Sequence, residues 1–235
     1  MSFGTPHRHF ARTDSTNTRA RELAAADAPH GTVVTATEQT AGRGRQGRVW
    51  TAPGGKALLY SAIVRPLDER HLMLPLAAPL AVCDAAEELR PGLECGVKWP
   101  NDVLVDGRKL AGILVEARPQ DGWAVVGVGL NLTISPDEFP PDLQDKAVSI
   151  SGSDVGGPLS AATVLNRHLE RWVKAGPDTV LAAWRRRDAL KGREVAWDGG
   201  SGVADGVDDR GYLIVITPGG SRVTVGAGEV HLTRS

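Results

Sequence analysis

The chain has 235 residues, with 27 Lys+Arg against 28 Asp+Glu, a formal net charge of −1 and 41% hydrophobic residues. That balance argues against a protein whose main work is to coat nucleic acid or an anionic membrane. Two cysteines, Cys83 and Cys95, exclude a disulfide framework and a multi-cysteine zinc site, while the length suits one sizeable domain, or one domain with a small appendage.

Residues 1–17 hold no apolar core of signal-peptide length. The most apolar stretch, 72–83, contains Pro75 and Pro79 and falls short of the roughly 20 apolar residues that span a bilayer. The expectation is a soluble cytoplasmic protein with reduced thiols and no membrane partner.

In chain order, a helix is predicted over 16–26, capped by Ser15 or Thr16. The β-branched run 32–37 predicts a strand after Gly31. A flexible Gly/Arg loop follows at 41–48, then a strand at 57–64 and an apolar helix at 74–89. Residues 103–105 and 109–116, joined through Asp106-Gly107, predict a hairpin with a two-residue turn, and 123–130 a further strand. Helices are expected after Ser160 and after Pro177. From Gly192 the texture changes to short β segments (194–197, 212–217, 222–225) between Gly-rich turns, as in a small barrel, with a domain boundary near residue 190.

The segment GRGRQGRVW at 42–50 satisfies the spacing G-x-G-x-x-G after a strand. A dinucleotide fold needs a helix opening inside that motif and an acid about 20 residues on. Here Pro53-Gly54-Gly55 breaks any helix, and no acid lies between Gln39 and Leu67. A P-loop fails as well, because Arg48-Val49 stands where Lys and then a hydroxyl residue are required. What remains is a loop of guanidinium forks and accessible backbone N–H groups, both suited to carboxylates and phosphates. A merely solvated basic loop or an RNA-binding loop are the alternatives, the second disfavoured by the balanced charge and by the lack of interleaved aromatics.

KWPND at 98–102 sets a cation, an amide and a carboxylate around a rigid turn, which alone reads as a strand end with a capping Asn/Asp pair. Seven residues past Asp102, Lys109 enters an otherwise apolar strand, where it needs an anionic partner or a route to solvent. Gly112 in that strand suggests a bulge or a close backbone approach. GVGLNL at 127–132 combines small residues with one polar side chain on an apolar strand, as if a ligand passes nearby. The six tryptophans read as core or interface anchors.

Taken in order, Asp14-Ser15-Thr16-Asn17, Gln39 with GRGRQGRVW, KWPND, GRKLAGILVE at 107–116, GVGLNL, and a C-terminal stretch from Gly192 through Gly228-Glu229-Val230 resemble the biotin protein ligases over nearly the whole chain. The resemblance implies an α/β (α+β) fold: a mixed-sheet catalytic domain of the biotin/lipoate ligase type over 1–188, followed by a small Src-homology-3-like β-barrel over 189–235. It implies an ATP-dependent ligase that forms biotinyl-5′-AMP from biotin and ATP, then transfers biotin to a lysine of a biotin carboxyl carrier domain and releases AMP. By the same carry-over, Ser15, Thr16 and Gln39 contact the biotin head with the backbone near Gly112, and Asn17 and Lys98 join the substrate-binding set. Arg43, Gly44 and Arg45 form the loop over carboxylate and phosphate, Lys109 sits between these two anions, and Asn101 and Asn131 lie towards the nucleotide. Lys109 and Arg45 are the expected catalytic cations, and Asp102 is the candidate for orienting or deprotonating the incoming lysine. Mg2+ is expected with ATP, bridging phosphates, since no metal-ligand motif is present.

Two features depart from the family pattern. The Asp-Ser-Thr-Asn motif begins at residue 14, so a winged helix before it, and with it direct repression through DNA, is not expected. Lys146-Ala147-Val148-Ser149-Ile150 stands where many relatives have a Thr-Ser-Leu-like element. Nucleic acid is not an expected partner, and a homodimer is compatible with the sequence. A lipoate ligase or octanoyltransferase of the same superfamily is the nearest rival, with a non-catalytic ligand sensor or RNA-binding module further off.

Overall fold

A computed structural model describes residues 2–151, 155–226, 228 and 230–232; Glu229 of the C-terminal motif lies outside the described residues. Seven strands form a mixed sheet in the order β1-β2-β3-β7-β6-β5-β4. They are β1 His7–Thr13, β2 Val33–Gln39, β3 Ala57–Val64, β4 Gly96–Lys98, β5 Asp102–Val105, β6 Arg108–Arg118 and β7 Trp123–Asn131. β1 and β2 run parallel, and the remaining neighbours are antiparallel.

β3 is buried at every residue because both of its faces are covered, which explains its unbroken apolar sequence. On one face Leu58, Tyr60, Ala62 and Val64 join Val126, Val128 and Leu130 of β7 beneath helices α2 (Leu74–Leu89) and α3 (Pro158–Val173). On the other face Ile63 and Val125 pack against Ala20 and Ala24 of α1 (Thr16–Ala25). α2 runs through Pro79: the proline forfeits one backbone bond, but the helix buries most of its length in the core, which outweighs that loss. Among the described residues no helix is long and apolar enough to cross a membrane.

Helix α4 (Pro177–Arg186) leads to a second sheet, fully antiparallel, of β8 (Glu194–Trp197), β9 (Gly200–Val207), β10 (Leu213–Ile216), β11 (Arg222–Val225) and β12 (His231–Leu232), in the order β11-β10-β9-β8-β12. Its apolar face, including Val195, Ala204, Leu213 and Val215, belongs to the same buried cluster as α2 and α4. Trp99 Nε1 donates to Gly211 O across the junction, at 3.0 Å. The C-terminal sheet is therefore fixed against the KWPND turn and forms part of what surrounds it.

The sequence reading missed β1, β9 and β12, and caught β4 only as the strand end before the KWPND turn. β1, His-Arg-His-Phe-Ala-Arg-Thr, is an exposed edge strand whose register comes from pairing with β2 and not from its own pattern. β9 carries three glycines, which mask its strand character.

Candidate active site

The helix-free part of the sheet's second face is floored by absent side chains. Gly112 of β6 pairs with Gly129 of β7, and Leu114 with Gly127. A Cβ on Gly129 would stand 2.3 Å from Trp50 Cε2, and one on Gly127 2.0 Å from Asn17 Oδ1. The alternation in GVGLNL thus opens a trough beside α1, into which Trp50 and Asn17 reach. Trp50 is accordingly not a plain core anchor: its indole lies over Gly129 and Gly112, and its buried Nε1 has no hydrogen-bond partner among the described residues.

One end of the trough is neutral and polar. Ser15 is the N-cap of α1, yet its hydroxyl makes no cap bond and remains at the cavity wall. Gln39 Oε1 accepts from Thr16 N at 2.7 Å and from Thr16 Oγ1 at 3.0 Å. Ser61 Oγ lies 2.8 Å from Thr16 Oγ1 and donates to Asn17 Oδ1 at 2.6 Å. Ser15, Thr16, Asn17 and Ser61 are buried and Gln39 is half-buried, and the first turn of a helix directs N–H dipoles towards them. Such an end suits a neutral, strongly hydrogen-bonding head group and has no charge with which to hold an ion.

The other end is cationic, and its geometry depends on a bulge. β5 pairs Val103 with Ala111 and Leu104 with Lys109, so β6 carries one extra residue, Leu110. Strict alternation would put Lys109 on the same side as Ala111 and Ile113, which are core residues. The extra residue sends Leu110 into the core and leaves Lys109 in the cavity. The bulge expected at Gly112 therefore sits at 109–110, and Gly112 supplies the close approach instead. The freed Lys109 backbone is taken up by the 146–150 segment: Lys109 N donates to Lys146 O at 2.7 Å and Val148 N donates to Lys109 O at 2.9 Å. The Lys109 ammonium lies 2.7 Å from Asp102 Oδ1. Lys98, directly across from Asp102 in β4, is half-buried. Burial depresses its pKa, and Lys109 and Arg48 add to the effect against the opposing influence of Asp102.

The Gly/Arg segment is ordered as a small hairpin. Trp50 N donates to Gly42 O, Gly44 N to Arg48 O, and Arg48 N to Arg45 O, with Gln46 and Gly47 at positive φ at the tip. Gly42 has no room for a side chain, since a Cβ would stand 2.3 Å from Trp50 O. Arg45 is partly buried, which lowers its pKa while Asp102 opposes the shift, and its Nη2 reaches Gly228 O at 3.5 Å. Val230 and, in β12, His231 complete the wall.

One cavity therefore gathers Ser15, Thr16, Asn17, Gln39, Arg43, Gly44, Arg45, Lys98, Asn101, Asp102, Lys109 and Gly112. Asn101 ties the KWPND turn to the floor, donating from Nδ2 to Ile113 O at 2.9 Å. Asn131 stands apart: its buried amide donates to Val148 O at 3.0 Å and holds the 146–150 segment, without lining the cavity. Sequence reasoning missed Trp50, Ser61, Glu116 and His231 as parts of the site. Ser61 is a small polar residue in an otherwise apolar run, a signal that could have been read; His231 carried none. Among the described residues no group of three His, Cys, Asp or Glu side chains converges to hold a metal ion.

Comparison with known proteins identifies the family. The model of the biotin/lipoate A/B protein ligase family matches residues 9–132, and that of the biotin protein ligase C-terminal domain matches residues 192–232. The biotin–[acetyl-CoA-carboxylase] ligase of Mycobacterium tuberculosis is 42% identical over 241 residues, covering 94% of this chain and 87% of the relative. That of Paracoccus denitrificans is 36% identical, covering 91% and 95%. Among solved structures, the biotin protein ligase of Aquifex aeolicus in complex with biotin and ATP superposes with a TM-score of 0.78 at 27% identity, covering 97% of this chain and 99% of that one.

Proposed function

The chain belongs to the biotin/lipoate A/B protein ligase family, and from that premise we propose how its cavity carries out the family's chemistry. It is a biotin protein ligase: it joins biotin to ATP as biotinyl-5′-AMP and passes the biotinyl group to a lysine of a carboxylase's carrier domain.

The observation that carries the mechanism is the polarity of the trough, neutral at Ser15, Thr16 and Gln39 and cationic at Arg45, Lys98 and Lys109. The ureido head of biotin, neutral and with both donors and acceptors, fits the first end. The valeryl chain runs along the Trp50 indole, which rests on Gly112 and Gly129, and the carboxylate emerges among the cations. There a carboxylate oxygen attacks the α-phosphorus of ATP, the bond to the β-phosphate oxygen breaks, and pyrophosphate leaves. Two anions must meet, and Lys109 and Arg45 offset their repulsion and the charge that builds on the phosphorus oxygens. The hairpin carrying Arg43 and Gly44 covers the mixed anhydride and excludes water. Mg2+ bound with ATP would supply further charge neutralisation of the triphosphate, beside that given by Arg45, Lys98 and Lys109.

In the second step the acceptor lysine's amine attacks the acyl carbon, the acyl–oxygen bond breaks, AMP departs, and the amine loses a proton. Asp102 is placed to orient that amine and to receive the proton. The reaction takes place in the cytoplasm, on the carrier domain of a biotin-dependent carboxylase. The test is incubation with ATP, [14C]biotin and an apo carrier domain. Biotin-dependent pyrophosphate release and a labelled carrier lysine are expected. Release driven equally well by lipoate, or no release with either acid, would overturn the reading.

A further inference from the structure

The two arginines that flank Gly44 stand in different surroundings. Arg45 faces the cavity, near Asp102 and Gly228 O. Arg43 instead meets a carboxylate: its Nη1 lies 3.0 Å from Glu116 Oε1 and 3.3 Å from Oε2. Glu116 follows Gly112 and Leu114 at two-residue intervals on β6, so it stands on the cavity side of the sheet, at the end of the trough floor. Its other partners are on α1. Arg21 Nη1 reaches Oε1 at 3.4 Å, and Asn17 Nδ2 donates to Oε2 at 2.8 Å.

Asn17 is 4% exposed, and its Oδ1 is held by Ser61, which is fully buried beside Thr16. Glu116 is therefore the one link, among the described hydrogen bonds, that joins the hairpin's Arg43 to the buried polar end of the trough. The carboxylate has two cations and an amide donor around it; its side chain is 21% exposed and that of Arg43 42%, so the pair is partly screened by solvent.

We propose that Glu116 is a positioning residue for the ligase reaction: it clamps the hairpin through Arg43, in the adenylate complex as well as without ligand, so that Arg45 alone of the pair is presented to the carboxylate and phosphate. The proposal rests on the ligase reading and adds a division of labour to it. Arg43 is the hairpin's anchor and Arg45 its anion ligand. Clamping removes part of the ordering cost of closing the hairpin and slows its opening. Glu116 touches no reacting atom.

The test uses the full chain with wild-type biotin-dependent pyrophosphate release as the control, so failure of the ligase reading would appear in the wild type and not in the variants. Glu116→Gln keeps an acceptor for Asn17 but removes the charge facing Arg43. Dissociation of preformed biotinyl-5′-AMP should accelerate about fivefold in Glu116→Gln, the scale of an ion pair worth about 1 kcal/mol. Arg43→Gln should show the same acceleration, and the double variant should be no faster than either single one. Glu116→Gln should also expose the ligand-free hairpin to faster tryptic cleavage, and the exchanged pair Glu116→Arg with Arg43→Glu should recover part of the loss. Multiplicative effects of the two single changes would overturn the proposal. So would unchanged dissociation and cleavage in Glu116→Gln, or slower dissociation, which would mean that the contact holds the hairpin open.

Discussion

Asp102 Oδ1 and Lys109 Nζ stand 2.7 Å apart, on strands whose register is shifted by one residue between them. Without that bulge Lys109 would face the core, so the ion pair and the cavity's principal cation have one structural origin. The pair also bears on the order of events. An anion arriving at Lys109 competes with Asp102 for the ammonium, and a carboxylate released in this way becomes available to the amine of the second step. Asp102→Asn should therefore slow transfer from preformed adenylate to a carrier lysine by about 100-fold, the lower range for a positioned general base. Adenylate formation should change by less than tenfold, because Lys109 keeps its charge and loses only a competitor. Single-turnover assays of the two half-reactions separate these effects, and equal losses in both would place Asp102 on the adenylation step instead.

Gly129 gives the sharpest steric test. Its missing Cβ is replaced by the Trp50 ring, with 2.3 Å between the position a Cβ would take and Trp50 Cε2. The nearest atoms belong to a ring packed under a hairpin and not to a flexible chain end, so Gly129→Ala must displace the indole. Biotin binding measured by calorimetry should be lost to the limit of detection, while the thermal midpoint changes by only a few degrees. Gly112→Ala meets the same ring at 3.1 Å and should weaken binding without abolishing it. If Gly129→Ala bound biotin normally, the trough would not be the acid's path.

How much of this was legible beforehand differs by residue. β3 and α2 were placed correctly from sequence because each is a nearly continuous buried apolar run that ends at an Arg-Pro pair, Arg65-Pro66 and Arg90-Pro91. Lys109 drew notice as a charged residue entering an apolar strand and Asp102 as the acid of a proline turn, and the fold brings both to one cavity. Asn131 raised the same signal, and its amide went to a backbone segment. A polar residue in an apolar strand reports an unmet hydrogen bond and does not say whether a ligand or the chain itself meets it. Glu116 was illegible because it sits where β6 turns amphipathic and looks like any solvated strand end; its importance comes from Arg43 and Asn17, each distant in sequence. The hairpin form of the Gly/Arg loop was missed for a related reason. Its closure is made by backbone bonds from Trp50 to Gly42 and from Gly44 to Arg48, to which side-chain pattern is blind.

Stability should depend on the junction beneath the site. Arg187, just past α4, donates to both oxygens of Glu87 at 2.6 and 2.8 Å, to Asp84 Oδ1 at 3.0 Å and to Cys95 O at 3.1 Å. Burial works against ionisation of Glu87, but Arg187 and the Cys95 N–H outweigh it and hold the carboxyl below its ordinary range. A depressed carboxyl stabilises the fold above its unfolded pKa, near 4.3, and that contribution is lost as the pH falls through the folded value. Arg187→Leu should cost about 2–3 kcal/mol, the range for charged hydrogen bonds left unmade. For a chain of this size that is roughly 5–10 °C in thermal midpoint. The variant should also lose the acid-side slope assigned to Glu87, which a melting series from neutral to acid pH would follow.

Lys98 makes the pH dependence of substrate binding specific in sign. Its pKa is lowered by burial first, with Lys109 and Arg48 adding to the effect and Asp102 opposing it. A lysine with a depressed pKa loses its charge earlier as the pH rises than an exposed one does, near 10.4. An anion at this end of the trough favours the protonated form, so binding of the triphosphate takes up a proton on the alkaline side, and affinity falls as the pH climbs through the lowered value. Lys98→Arg keeps its charge at every pH that the fold tolerates, and its alkaline fall should move to higher pH or disappear. Lys98→Met should bind ATP about tenfold more weakly at neutral pH, the scale of one lost charge-assisted hydrogen bond, and should lack the proton uptake altogether. Calorimetric titrations in two buffers of different ionisation enthalpy measure that uptake directly. Proton uptake that persists unchanged in Lys98→Met would assign the alkaline limb to another group.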